Sequence, residues 1–372
     1  MNSSIALSAS PQASRPRNAS SRASRPRGVY DLSRQELETR LVELGFPAYR
    51  ARQVWGWAYR QCVADYEVMG NVPPALRCAL AAELPLSLLE PVRTVAAEDG
   101  ETIKTLYRTD DDQMLETVLM LYRDRATVCV SCQVGCAVGC AFCATGLMGL
   151  SRNLGAGEMV AQVVGAAREA RQRGRDLTNI VMMGMGEPLQ NYAEVMKFIN
   201  IVHDPEGLDI GARRITVSTS GIVPKIDALA EELLPLNLAI SLHAPDDELR
   251  SRLVPVNRRY PIATLMAAVD RYIERTGRRV SFEYALMRGV NDGEQTANDL
   301  ATLLRGRLCH VNIIPLNPVE LLPYERPNRS SIEGFAGILR KAGIPTSVRY
   351  SRGLDIDAAC GQLRAKELRT SG

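Results

Sequence analysis

Cys136, Cys140 and Cys143 put three thiols into eight residues, in a C-x3-C-x2-C run that also contains Phe142. This is metal-ligand spacing and is awkward for anything else. A structural zinc site takes four protein ligands and is closed. A four-iron, four-sulfur cluster also offers four positions, usually all filled by cysteine. Three local ligands leave one iron able to bind and activate something, which is the logic of a reactive centre rather than a staple. Two other readings compete. The three cysteines could be small buried hydrophobes, since free cysteine packs well. Alternatively, Cys129 and Cys132 join Cys140 and Cys143 in a C-x2-C-x7-C-x2-C knuckle for zinc or iron, which leaves Cys136 idle.

A chain of 372 residues has room for two or three domains, or for one α/β barrel with additions, and 46% hydrophobic residues supply a sizeable core. No apolar run of about 18 residues occurs, so no membrane span is expected. The chain does not open with a secretory leader, and its nine cysteines then point to a reducing compartment. The net charge of +3 is unevenly placed: Arg15, Arg17, Arg22, Arg25 and Arg27 all precede the first acid, Asp31. Residues 1–27 are rich in Ser, Ala, Arg and Pro without apolar periodicity, which predicts a disordered basic tail. A basic arm on RNA phosphates and an organelle transit peptide share that composition.

From Asp31 the apolar spacing is helical. Leu32, Leu37, Leu41, Val42 and Leu44 precede Gly45, Val54 to Ala58 continue the pattern, and 74–84 repeats it. Residues 28–95 therefore read as a small helical domain of an RNA-binding kind, with Trp55 and Trp57 in its core. Partial alternation from Thr102 to Met120 predicts a hairpin within a connecting segment, 96–121. Beyond the cysteines, strands are expected at 179–185, 214–220, 237–243, 280–286, 310–316 and 346–350. Helices are expected at 156–173, 192–202, 262–276, 294–304 and 332–342. Strands that are apolar on both faces and alternate with helices indicate a parallel sheet covered by helices. With a strand at the cysteine loop, the count suits an α/β fold of the partial, TIM-like (β/α)6 barrel type over 122–355. Ligands of such folds gather at the C-terminal strand ends.

The informative residues fall at those ends: Gly186-Glu187-Pro188, Ser218-Thr219-Ser220-Gly221, Ser241-Leu242-His243 and Asn317-Pro318. Singly each is weak, since Gly-Glu-Pro is a common loop and His243 could be a satisfied core imidazole. Together with Cys136/Cys140/Cys143, Cys129-Val-Ser-Cys-Gln-Val-Gly-Cys136 and Asp355-Ile-Asp-Ala-Ala-Cys360-Gly-Gln-Leu, they resemble one family within the radical S-adenosylmethionine (SAM) superfamily. That family is the dual-specificity RNA adenine-C2 methyltransferases of 23S rRNA and tRNA, with their C8-methylating relative (the RlmN/Cfr family). The resemblance covers about residues 28–366, and its widely separated motifs agree in order.

The resemblance implies a [4Fe–4S] cluster on Cys136, Cys140 and Cys143, one per chain, with SAM on the fourth iron. Gly186 and Glu187 match the element beside the methionine ammonium, and Ser218, Ser241, Leu242, His243 and Asn317 match the remaining SAM contacts. C2 of adenine is electron-poor and not a nucleophile, so direct methyl transfer should fail. In the family, the cysteine matched by Cys360, carried here on the C-terminal segment 356–372, takes a methyl from one SAM. A second SAM, reductively cleaved, generates a radical there, and an adduct to the base follows. The residue matched by Glu116 removes the C2 proton, and that matched by Cys129 releases the product, leaving a disulfide. The implied targets are an adenine in the peptidyl-transferase-centre region of 23S rRNA and the adenine next to the tRNA anticodon. A cytoplasmic monomer served by a low-potential electron donor such as flavodoxin is implied as well.

The residues alone leave alternatives open. Glu116 by itself reads as a solvated strand acid, and Cys62, Cys78 and Cys309 read as buried thiols. Cys132 stands where a small residue such as serine is usual, so it competes with Cys129 as the resolving thiol. The rival functions are the C8-directed relative, a radical SAM enzyme on another substrate that would not need Cys360, and a non-catalytic RNA-binding protein with a zinc knuckle.

Overall fold

The computed structural model describes residues 28–318 and 322–350. Its first unit is helical: α1 (Arg34–Glu43), α2 (Arg50–Trp55) and α3 (Pro74–Glu83). Ser33 opens α1, its hydroxyl accepting from Glu36 N while the Glu36 carboxylate accepts from Ser33 N, a reciprocal cap. Trp55 is buried against Tyr59, with ring centroids 4.1 Å apart. Trp57, expected in the core, is only partly buried, because its indole N–H reaches outward to Asn71 Oδ1 at 2.6 Å.

A strand, β1 (Leu89–Ala96), occupies the end of the range expected to be helical. It is an edge strand exposed along most of its length, so no apolar face announces it. It pairs antiparallel with β2 (Thr102–Thr109), which forms the expected hairpin with β3 (Met114–Leu121), and β3 pairs antiparallel with β4 (Ala126–Cys129). From β4 the sheet turns parallel through β7 (Leu177–Met182), β8 (Ile215–Thr219), β9 (Asn237–Ser241), β10 (Val280–Leu286), β11 (Cys309–Pro315) and β12 (Thr346–Val348). The two strands skipped, β5 (Gln133–Gly135) and β6 (Leu150–Asn153), form a small ribbon that flanks the cysteine loop. The loop itself carries one short helix, α4 (Ala144–Leu147).

Each step between neighbouring parallel strands carries a helical crossover. These contain α5 (Ala156–Gln172), α6 (Tyr192–His203), α7 (Val223–Ala230), α8 (Asp247–Leu253) with α9 (Ile262–Thr276), α10 (Glu294–Leu304) and α11 (Arg329–Lys341). The result is the expected α/β sheet of the (β/α)6 type. Among the described residues it is open, with β1 and β12 at its two edges. One apolar core runs from Val29 and Trp55 in the helical unit to Ile344 near β12.

Differences from the expected elements are local. β7 ends at Met182 rather than 185, because Met185 O turns to accept from Cys132 N and Gln133 N. α11 begins at Arg329 because Asn328 caps it through Ser331 N. α7 and α8, two short helices, have no counterpart among the expected ones.

Candidate active site

The cysteine loop leaves the ribbon at Cys136, whose N–H donates to Gly149 O, and is pinned to the end of α8 by Ala141 N donating to Leu253 O. Phe142 stands edge-on to the His243 ring, with centroids 4.8 Å apart. Cys136, Cys140 and Cys143 line one cavity of about 240 Å³ together with Gly186, Glu187, Ser218, Ser241, His243 and Glu283. Burial pushes the Cys136 thiol up to about 11 and Cys140 higher still, and each is raised further by its neighbouring thiols and by Glu187. Desolvated thiols at Cys136 and Cys140, beside a third cysteine in the same cavity, suit a bound cation, which displaces their protons.

The rim is fastened by its own side chains. Gly186 has φ +110°, and a Cβ there would lie 2.7 Å from Gln133 Cβ and 2.8 Å from Cys132 Sγ, so the turn admits only glycine. Beside it Glu187 is buried, accepting from Leu189 N, Ser220 N and Ser220 Oγ at 3.1, 2.7 and 2.7 Å. Burial raises this carboxyl, and the Ser220 and Leu189 donors oppose that. His243 takes a left-handed backbone (φ +62°). Its Nδ1 accepts from Ala285 N at 2.9 Å, which leaves the ring proton on Nε2. Burial and the Arg250 charge lower His243 to about 3, so the imidazole is neutral at physiological pH. Asn317 follows β11, and its Oδ1 is buried without a hydrogen-bond partner.

Arg250 ties these ends together. Fully buried, it donates to Ser220 O (2.7 Å), Leu242 O (3.1 Å), Ser241 O (3.2 Å) and Asn257 Oδ1 (2.8 Å). Burial lowers its pKa only to about 10, so it stays charged. Arg250→Met strands three carbonyls, and is expected to cost about 3–5 kcal/mol in urea denaturation. A loss below about 1 kcal/mol would show that the rim holds itself without the guanidinium.

A second polar group lies on β2, β3 and β4. Lys104, Val118 and Cys129 are register partners across the three strands, and Glu116 stands two residues along from Val118 on the same face. Glu116 is 3% exposed, and Lys104 Nζ meets its Oε2 at 2.8 Å, so it is a buried ion-paired acid rather than a solvated one. Burial pushes the partly buried Cys129 thiol up to about 12, with Met183 backbone and Lys104 opposing and Glu116 adding. Ser131 joins this group to the rim: its hydroxyl donates to Glu116 O at 2.6 Å and accepts from Met185 N at 2.9 Å. Gln162 on α5 fixes Ser131 from behind through both backbone groups. Cys132 is packed in the core beneath Gly186, whereas Cys129 faces Glu116 and Lys104. Cys360 lies outside the described residues. Cys62 and Cys309 are buried as expected, but Cys78 is exposed on α3.

Among the described residues, no three His, Cys, Asp or Glu side chains converge on a single-ion position. A closed knuckle of Cys129, Cys132, Cys140 and Cys143 would require such convergence. A four-iron cluster instead spreads its ligands over separate corners. A larger cavity, about 410 Å³, separates the helical unit from α5. Its cation, Arg168, is committed to the carbonyls of Cys62 and Val63, so it carries no comparable chemistry.

A three-cysteine loop beside the first strand of an open parallel barrel, facing the ends of the others, defines a radical SAM enzyme. The family model of the Radical SAM superfamily matches residues 130–300, and that of the ribosomal RNA large subunit methyltransferase N-terminal domain matches 28–85. The chain belongs to the RlmN family of radical SAM methyltransferases. A Roseiflexus castenholzii relative named "Probable dual-specificity RNA methyltransferase RlmN" is 48% identical, over 90% of this chain and 95% of its own. One of the same name from Geobacillus kaustophilus is 49% identical, over 91% and 93%. The crystal structure of a radical SAM methyltransferase from Sphaerobacter thermophilus superposes with a TM-score of 0.89 at 64% identity, covering 91% of this chain and 99% of that one.

Membership brings SAM and a [4Fe–4S] cluster to the site, and the residues fit both. The Cys136 and Cys140 thiols are desolvated beside Cys143 in one cavity, and Asn317 Oδ1 is a buried acceptor without a hydrogen-bond partner. The reading from sequence did not single out Lys104, Ser131, Gln162, Arg250 or Glu283. For Lys104 a signal existed: it is a charge at an inward position of a strand buried on both faces.

Proposed function

We propose that this chain methylates C2 of adenine in two RNAs: 23S rRNA, in the peptidyl-transferase-centre region, and tRNA, at the adenine next to the anticodon. Its relatives' name supports the substrate class. The observation that carries the chemistry is the buried group of Cys129, Lys104 and Glu116, a thiol and an ion-paired carboxylate additional to the cluster loop. An enzyme that only activated SAM would have no use for that second group.

Cys136, Cys140 and Cys143 would hold the cluster. Gly186, Glu187, Ser218, the Ser241–His243 segment and Asn317 would hold SAM. Together these cofactors supply the one-electron chemistry that an electron-poor ring carbon requires. Cys360 takes the methyl group by displacement as a thiolate and carries that carbon to C2 as a thioether. Glu116 removes the C2 proton. Cys129, as a thiolate, attacks the Cys360 sulfur, and a disulfide joins the two cysteines. The carbon leaves on the base with the bonding pair, stabilised by the ring, and takes up a proton to become the methyl group. Attack at the Cys360 sulfur requires a carbon leaving group that the purine ring stabilises, so Cys129 has no such reaction with the methyl thioether before the bond to the base is made.

Two SAM molecules are consumed per methylation, and a low-potential donor such as flavodoxin supplies electrons to a cytoplasmic monomer. Among the described residues no helix is long and apolar enough to cross a membrane. The helical unit, which the N-terminal-domain family model matches, would contact the RNA, and the target base would leave its stack to reach the barrel end. Mass spectrometry of rRNA and tRNA nucleosides from cells with and without the gene tests the reading. Loss of 2-methyladenosine from both RNAs is expected. Loss of 8-methyladenosine instead would transfer the chain to C8 chemistry.

A further inference from the structure

Glu283 is a carboxylate that none of the steps above uses. It sits on β10, 4% exposed, and lines the cavity shared by the three cysteines, Ser218, Ser241 and His243. In the parallel register it lies beside Ser241 on β9 and Asn312 on β11. Its Oε1 accepts from Asn312 Nδ2 at 2.8 Å, and Asn312 Oδ1 accepts in turn from Arg349 Nε at 3.0 Å. One oxygen is thus fixed by a chain of donors. The other, Oε2, is buried without a partner. Leaving a buried carboxylate oxygen unsatisfied is costly, and such an atom calls for an explanation.

Burial raises this carboxyl, while the Arg349 charge and the Asn312 donor oppose that. A carboxylate oxygen only accepts, so a group that completes Oε2 in the ionised form brings an N–H or O–H. Of the donors SAM carries, the ammonium belongs with the cysteine loop and the Gly186–Glu187 turn, at the rim. Glu283 is level with Ser241, two residues before His243, whose ring is the one that meets the cysteine loop at Phe142. It therefore lies deeper, beside a serine hydroxyl, where the nucleoside half has to go.

We propose that Glu283 binds SAM by accepting a hydrogen bond from a ribose hydroxyl, with Ser241 alongside. The proposal rests on this cavity being the SAM site. The test uses cluster-reconstituted protein, kept anaerobic, and equilibrium dialysis with SAM and with its 2′-deoxy and 3′-deoxy analogues. Glu283→Gln is expected to bind SAM about ten- to hundredfold more weakly than the unsubstituted protein, with iron content unchanged. For the analogue lacking the bonded hydroxyl, the two proteins should bind within about threefold of each other. Glu283→Asp, which keeps the charge but shortens its reach, should fall between. Equal SAM binding by Glu283→Gln and Glu283→Asp and the unsubstituted protein overturns the proposal. So does an undiminished Glu283→Gln penalty with both deoxy analogues, which would place the contact on the adenine amino group or elsewhere. Unsubstituted protein that binds no SAM would overturn the cavity assignment and the proposal with it.

Discussion

Cys129→Ala is expected to accumulate a covalent protein–RNA species that Cys360→Ala never forms. The difference follows from the two roles proposed above. If Cys360 makes the bond to the base, no bond forms without it. If Cys129 breaks that bond, the chain without it should stall after one event, with the RNA still attached. Cys129 faces Glu116 and Lys104, while the nearby Cys132 is packed under Gly186 and is poorly placed to substitute. A denaturing gel of each variant after incubation with tRNA, SAM and reductant reads the result. Product from Cys129→Ala should stay below about one per enzyme. Equal product from both variants, or an adduct with Cys360→Ala, would end the two-thiol mechanism. Full turnover by Cys129→Ala that is lost on adding Cys132→Ala would move the resolving role to Cys132.

Lys104→Met should lower stability by about 3–5 kcal/mol, because it removes the cation that meets the buried Glu116 carboxylate at 2.8 Å. The pair has near-zero exposure on both sides, so the small values typical of surface ion pairs do not apply. The double variant Lys104→Met/Glu116→Leu should recover most of that loss, since apolar replacement of both members of a buried pair is often neutral. It should nevertheless be inactive. Chemical denaturation of the three proteins closes the cycle. If Lys104→Met costs less than about 1 kcal/mol, the Lys104–Glu116 contact contributes no more than a surface pair, and the buried-pair reading fails.

Much of this was legible from residue order alone, for identifiable reasons. The parallel strands and their long helices carry strong periodicity, and the cysteine loop carries its ligand spacing on its face. β1 was illegible because an exposed edge strand buries nothing that patterns its sequence. The site divided the same way. Gly186, Glu187 and His243 fall at predictable strand ends. The polar network beneath them was hidden because its members are far apart in the chain: Lys104 and Glu116 meet only once a hairpin register is chosen, and Arg250 finds Ser220 across thirty residues. The solvated reading of Glu116 failed for that reason, since a strand acid's partner lies on the neighbouring strand rather than in its own sequence. Glu283 is the extreme case, an acid inside an apolar strand whose meaning depends on the strands on both sides.

Arg250 has a thermodynamic consequence beyond holding its carbonyls. Two strand-end segments, after β8 and after β9, are bonded to one buried cation and have already lost the freedom that loops ordinarily surrender when something binds. Little of the cofactor's interaction free energy then goes into ordering its own container, and more of it appears as affinity. A rim of this kind is preorganised: it should present the same shape to the first SAM of a cycle and to the second.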